Sequence, residues 1–374
     1  MFNLDQTFSS PILIDAVDIL TWRDNWFVRV RSADGAEGIA VNKGRMHYLW
    51  PIAKQLVAPY FIGQDARNLE TLVDGVYTWK SNYKLAGIAF WYCVAAVELS
   101  IWDMLGKIAG KSVGELLSAP SGRTPRREIP IYLSSLRRDT TPEEEVAWIT
   151  PRLAETGATA VKLKIGGRMS GNADAWPGRS EALIRHARET WGDRVTIYVD
   201  ANGSYDAAHA IEIGRMLESY GVGWLEEPCP FDEYEQTKQV ADALAMPVAG
   251  GEQDTALSRF RWMIQNRGVD IIQADVIYNG GFVRTMRVAH MAAQAGIPVA
   301  PHCPRNDPNI VYMLHLTSVA PLIAPHQEFR AEKPQSVWWN APDLMARDGV
   351  LRVPSGPGLG IEYDAALWSE AQAI

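Results

Sequence analysis

Only three cysteines occur in the 374 residues, Cys93, Cys229 and Cys303. Their number is odd and they form no CxxC pair or disulfide-like spacing, which excludes a disulfide scaffold and suits a reducing compartment. No cluster of Lys and Arg interrupts a chain of net charge −8, so the phosphate neutralisation that nucleic-acid binding demands has no basis. The longest purely apolar run, residues 88–97, is too short to cross a bilayer, and the opening MFNLDQTFSS lacks the basic segment and apolar core of a secretion signal. A cytoplasmic protein with no membrane or nucleic-acid partner is expected. Among seven histidines there is no HxH or HExxH pair, which argues against a zinc hydrolase. What the chain does have is 47% hydrophobic residues and 14 Trp, enough for a large core divided between two domains.

The N-terminal part reads as three strands, ILIDAVDIL, WFVRVRSADG and AEGIAVN, with Asp34-Gly35 as a hairpin signal. Residues 46–117 then turn helical, including a dense apolar stretch that stops at Gly110. We expect an α+β capping domain over 1–123, closed by the linker-like APSGRTPRREIP. Beyond it eight short β-rich runs follow: IPIYL, AVKLKI, VTIYVDA, VGWLEEP, MPVAGGE, VDIIQAD, IPVAPHC and LIAPHQEF. Stretches of helical periodicity ending in Gly separate them, which makes each unit a βα repeat and eight of them an α/β TIM-type barrel over 124–330. Residues 331–374 lack that pattern and are expected to pack back on the capping domain.

In such a barrel, reactive side chains sit at the C-terminal strand ends. Asp200, Glu226 and Glu252 follow successive strands at intervals of 26 and 26 residues, and Asp275, His302 and Glu328 follow at 23, 27 and 26. An acidic residue after a strand is also what a helix N-cap requires. Three consecutive repeats choosing acid at one point is not explained by capping, and three adjacent carboxylates repel unless a hard dication such as Mg²⁺ lies between them. Glu226 and Glu227 are neighbours on a strand, so only one should reach the ion.

Lys162 and Lys164 in AVKLKIGG are two apart and share a strand face. Inside a barrel, burial and the neighbouring ammonium should lower a lysine pKa towards a general base; Lys164, nearer the strand end, is the better candidate, with Lys162 as its electrostatic partner. Across the barrel, Asp275 can fix the tautomer of His302 and make a second acid/base group. Two such groups flanking one ion suit removal of the proton α to a carboxylate. Glu328, if protonated, could donate to the resulting enediolate.

The ordered set KLK, DAN at Asp200, EEP at Glu226, GGEQ at Glu252, QAD at Asp275, APH at His302 and QEF at Glu328 resembles the mandelate racemase subgroup of the enolase superfamily. The resemblance covers nearly the whole chain, including the PGLG of the tail. It implies a modified (β/α)₇β barrel with a capping domain, one Mg²⁺ per subunit held by Asp200, Glu226 and Glu252, and acid/base work by Lys164 and the His302–Asp275 dyad. Members with this set are mostly acid sugar dehydratases, with racemases and epimerases a minority, and homo-oligomers from dimers to octamers are common. In one respect the chain departs from the pattern: TWRDN between the first two strands is very short, where members generally carry a longer loop that closes over substrate. GGRMSGNADAWPGRS and NKGRMHYLW, the latter with Arg45, His47 and Trp50, are either replacements for that lid or ordinary surface loops.

The expected activity is therefore loss of water from a small acid sugar carboxylate to give a 2-keto-3-deoxy acid. Racemisation or epimerisation of a 2-hydroxy acid is the second reading, since the same two bases would serve it. A metal-binding scaffold without catalysis is a third, but the loss of a base or ligand that would mark it is not found.

Overall fold

A computed structural model describes the backbone of residues 1–374 and every side chain except that of Lys43. The chain opens on an antiparallel sheet of β1 (Ile14–Trp22), β2 (Asn25–Ser32) and β3 (Glu37–Lys43), turning at Asp34-Gly35. Gly35 has φ 91°, a conformation only glycine adopts without strain. Against this sheet lies α1 (Ile88–Ala109), a 22-residue helix almost wholly buried. By length and hydropathy α1 could cross a membrane, unlike the shorter run read from sequence, yet 89% of its apolar window is buried within the protein, which makes it a core helix. It approaches β3 so closely that a Cβ at Gly38 would meet the Ser100 carbonyl oxygen at 2.0 Å. Any side chain there would push the helix off the sheet.

The barrel follows as an alternation of strand and helix, broken once where only a single-residue bridge separates the last two helices. Its elements are β4 (Glu128–Ser134), α2 (Pro142–Thr156), β5 (Ala160–Lys164), α3 (Arg179–Trp191), β6 (Thr196–Asp200), α4 (Ala207–Ser219), β7 (Leu225–Glu226) and α5 (Tyr234–Ala243). Then come β8 (Val248–Gly250), α6 (Leu257–Gln265), β9 (Ile271–Ile272), α7 (Phe282–Gln294), α8 (Ile310–Val319) and β10 (Gln327–Arg330). Strands β4 to β9 pair in order and in parallel. The seventh position is held by Val299, bridged to Ile272 and Ile323, and β10 closes on β4 with Gln327 opposite Ile131. This is the capped (β/α)₇β barrel, with seven of the eight strand runs forming strands where the sequence put them and IPVAPHC reduced to the Val299 bridge.

One inward side chain from each strand fills the barrel below its mouth: Tyr132, Ala160, Tyr198, Trp224, Ala249, Ile271, Ala300 and Ala324 form a separate buried cluster. Three large rings face four alanines, so the plug is filled without overpacking. Tyr198 and Trp224 stack with centroids 3.4 Å apart. The polar site rests directly on this layer.

Capping domain and barrel are joined by buried polar contacts. Glu98 of α1 accepts from the backbone N–H groups of Phe282 (3.0 Å) and Val283 (2.8 Å), the free donors of the α7 N-terminus, and from Trp102 Nε1 (2.8 Å). The tail returns along β1, pairing Ala373 with Leu20, while the Trp338 ring meets Phe27 edge-on.

Candidate active site

The side chains singled out by spacing converge at the barrel mouth. Asp200 ends β6, Glu226 ends β7, Glu252 follows β8 by two residues, and one carboxylate oxygen from each lies within 4.8 Å of the others. All three are buried. None caps a helix: the residue before α4 is Asp206, before α5 Glu233 and before α6 Ala256. That removes the capping explanation for the repeat of acids.

The donor set fits a hard divalent cation. It is all oxygen, and Glu252 Oε2 is buried without a hydrogen-bond partner, the kind of orphaned acceptor a cation would satisfy. Burial pushes the Glu226 carboxyl up to about 8 despite the attraction of Lys162, with Asp200, Glu328 and Glu252 adding repulsion. Asp200 goes the other way: burial opposes ionisation, but Lys164 and Lys162 hold it well below the usual carboxylate range. Glu227 does not join the triad. The strand ends at Glu226 and Glu227 takes φ 41°, so its carboxyl turns to accept from Asn202 Nδ2 at 3.3 Å.

Lys162 and Lys164 do share the inward face. Lys164 donates to Asp200 and, at 3.2 Å, to Asn202 Oδ1. Lys162 lies deeper, 5.4 Å above the Tyr132 ring, and reaches Glu226 Oε1 at 2.6 Å and Glu328 Oε1 at 2.8 Å. The expected lowering of its pKa is overturned: burial acts in that direction, but Glu226 and Glu328 outweigh it and hold the ammonium well above its ordinary value. The surroundings of Glu328 likewise favour its ionised form over the protonated one. Burial would raise its pKa, but Lys162, His302 and Lys164 bring it down to about 2, and its oxygens accept from Ser134 Oγ and the Cys303 N–H, both at 2.7 Å. The carboxylate is an anchor for the strand ends.

On the other side, His302 Nδ1 meets Asp275 Oδ2 at 2.8 Å, and Nε2 faces Glu252 Oε2 at 3.5 Å. The second oxygen of Asp275 accepts from Ile277 N–H (2.7 Å) and Tyr278 N–H (2.9 Å), which fixes the carboxylate and through it the ring. Although burial disfavours charge, Glu252, the Asp275 bond and Glu328 raise the imidazole pKa well above its ordinary value. Lys164 thus approaches the triad through Asp200, and His302 through Glu252.

Three contributors were not assigned roles from sequence. Asn202 of the DAN motif binds Asp200, Glu227, Lys164 and Arg138 at once. Gln273 of QAD donates to Glu226 Oε2 at 2.6 Å; its position two before Asp275, hence on the same face, was the available signal. Arg138, from the loop after β4, reaches Asn202 Oδ1 at 2.6 Å, and no spacing marks it.

Fold and site together define a capped barrel whose mouth carries an all-oxygen triad suited to a divalent cation, with Lys164 and His302 against two of its carboxylates. The comparisons identify its kind: the family described as Enolase C-terminal domain-like matches residues 145–367 and the Mandelate racemase / muconate lactonizing enzyme N-terminal domain matches 11–118. The chain belongs to this family, the mandelate racemase group of the enolase superfamily. It is 29% identical to an arabinonate dehydratase of Saccharolobus solfataricus, over 85% of this chain and 82% of that one. The solved structure of a proposed racemase from Roseobacter denitrificans superposes with TM-score 0.91 at 37% identity, covering 97% of this chain and 99% of the other. A mandelate racemase/muconate lactonizing protein from Paracoccus denitrificans, complexed with magnesium, gives TM-score 0.86 at 26% identity over 97% and 99% of the two chains. With the buried oxygen triad, that complex makes Mg²⁺ the cofactor.

Proposed function

We propose that the protein is a hydro-lyase that removes the α-proton of an acid sugar carboxylate and expels the neighbouring hydroxyl as water. The observation that carries this is the placement of Lys164 and His302 against different carboxylates of one triad, so that a substrate carboxylate seated there has a nitrogen on each side of its α-carbon. Mg²⁺ held by Asp200, Glu226 and Glu252 supplies electrostatic stabilisation for the charge that builds on the substrate carboxylate as the proton leaves.

One nitrogen takes the α-proton, breaking C–H and leaving its electron pair on the substrate as the enediolate. The other gives its proton to the β-hydroxyl, so that C–O breaks, water departs and the remaining enol tautomerises to the 2-keto-3-deoxy acid. Asp275 keeps His302 with its Nδ1–H held and its Nε2 turned to the triad. Lys162, paired with Glu226 and Glu328, stays charged and fixes the ligand carboxylate. The dehydratase relative supports elimination; the racemase neighbour supports the second reading, in which the two bases exchange a proton and no hydroxyl leaves.

Incubation of the Mg²⁺-loaded protein in D₂O with a library of aldonic and aldaric acids separates the two. Elimination gives keto acid; racemisation gives deuterium at the α-carbon of an intact acid. Neither signal across the library would remove the proposal.

A further inference from the structure

Beside the triad a cavity of about 280 Å³ is lined by Arg45, Arg168, Asn202, Glu227, Phe231 and Gln253 among others. Asn202 touches Lys164 and Asp200, and Gln253 donates to Glu252, so the cavity adjoins the proposed reaction centre. Two guanidinium groups enter it from different parts of the fold, Arg45 from the capping domain and Arg168 from the loop after β5. A third, Arg138, stands behind them through its bond to Asn202. Both segments left open above as lid or surface loop, NKGRMHYLW and GGRMSGNADAWPGRS, therefore contribute an arginine to this one cavity.

These arginines are short of partners. Arg29, Arg67, Arg259 and Arg287 all pair with carboxylates, whereas among the described residues Arg45, Arg138 and Arg168 form no ion pair. The Nε atoms of Arg45 and Arg138 are buried with no hydrogen-bond acceptor at all. A buried, unsatisfied guanidinium donor is costly unless a ligand supplies the acceptor. Arg45 is held in place rather than loose: Nη1 donates to Tyr48 Oη at 3.1 Å and the group lies 5.1 Å over the Tyr278 ring, itself beside His302. Glu227 is the one acid in the lining, and its Oε2 already accepts from Asn202.

We infer that the substrate is a diacid, with one carboxylate at the triad and a second at the far end of the chain bound by Arg45 and Arg168, backed by Arg138. The inference rests on the acid sugar reading and narrows it from hydroxy acids in general to the aldaric class. Planar guanidinium forks match a carboxylate edge, and each charge-assisted contact discriminates against a neutral hydroxymethyl end that would leave the arginines unsatisfied.

The test uses matched six-carbon aldonic and aldaric acids that differ only in oxidation at C6. Calorimetric binding to the Mg²⁺-loaded protein is measured alongside keto acid formation and α-deuterium uptake. The diacid should bind and react with an advantage of about 10- to 100-fold over its monoacid, and R168Q and R45Q should each narrow that ratio, mainly through KM. Arg168 is solvent-exposed, so R168Q reads the effect without disturbing the fold even where R45Q loosens the cap. Equal handling of the two acids, a preference that survives both substitutions, or a preference for the aldonic acid 6-phosphate would overturn the inference. Arginine-dependent binding of the diacid with neither product nor exchange would uphold it and sink the elimination mechanism instead.

Discussion

Both oxygens of Asp275 are committed, one to two backbone N–H groups and one to His302. An amide in its place can keep the backbone contacts but presents its N–H₂ to the ring, which favours the wrong tautomer. D275N should therefore lower kcat by about 10²- to 10⁴-fold, the range for a general acid/base group, with the melting temperature unchanged; near-normal turnover would remove His302 from the chemistry. Lys162 calls for the opposite readout. Its ammonium is the shared partner of two buried carboxylates, and K162M leaves both uncompensated, so it should destabilise the fold by about 3–5 kcal/mol, seen as a lower urea midpoint. The residues themselves were legible in the sequence, but their charge states were not. Spacing showed the second lysine beside the first, whereas Glu226 and Glu328, 64 and 166 positions away in the chain, reverse the sign of the shift.

Among the elements, two buried titratable groups tie helices across the fold and pull stability in opposite directions. His315 of α8 accepts from Gly114 N–H at Nδ1 and faces the Leu359 carbonyl through Nε2; burial lowers its pKa to about 4. Between that value and about 6.5 the unfolded chain binds a proton that the folded chain refuses, so His315 takes stability away as pH falls, about 3 kcal/mol in all. Glu98 is raised by burial to about 7. From about 4.5 upward the folded chain keeps a proton that the unfolded one has lost, so its contribution falls as pH rises, by a similar amount. Urea unfolding of the parent, H315Q and E98Q at pH 4.5, 5.5 and 7 should show the two variants diverging from the parent with opposite slopes; parallel curves would mean neither group titrates as described. Neither tie could be read from sequence, because each joins positions about 45 to 200 residues apart. The strands could be read, since a short apolar run ending in a polar residue is what a barrel strand with a functional end must be. IPVAPHC was found as a strand but survives only as the Val299 bridge: Pro298 and Pro301 lack the N–H a ladder needs.

The whole molecule is arranged so that three strand ends, separated in sequence by a helix each, place their acids within one cation's reach. Unfolding disperses them, so Mg²⁺ binds the folded chain alone and must stabilise it by mass action, about 3 kcal/mol at a hundredfold excess over Kd. Burial and neighbouring acids hold the Glu226 carboxyl up to about 8, so ion binding there should displace a proton below that pH. Differential scanning fluorimetry should show the parent's melting temperature rising by several degrees with Mg²⁺ and returning on chelation, together with loss of turnover. D200N should melt without a Mg²⁺-dependent shift, because two carboxylates no longer complete the oxygen set. A shift of equal size in D200N would place the ion elsewhere, and a chelated parent with full activity would leave the triad as a charge cluster with no part in the reaction.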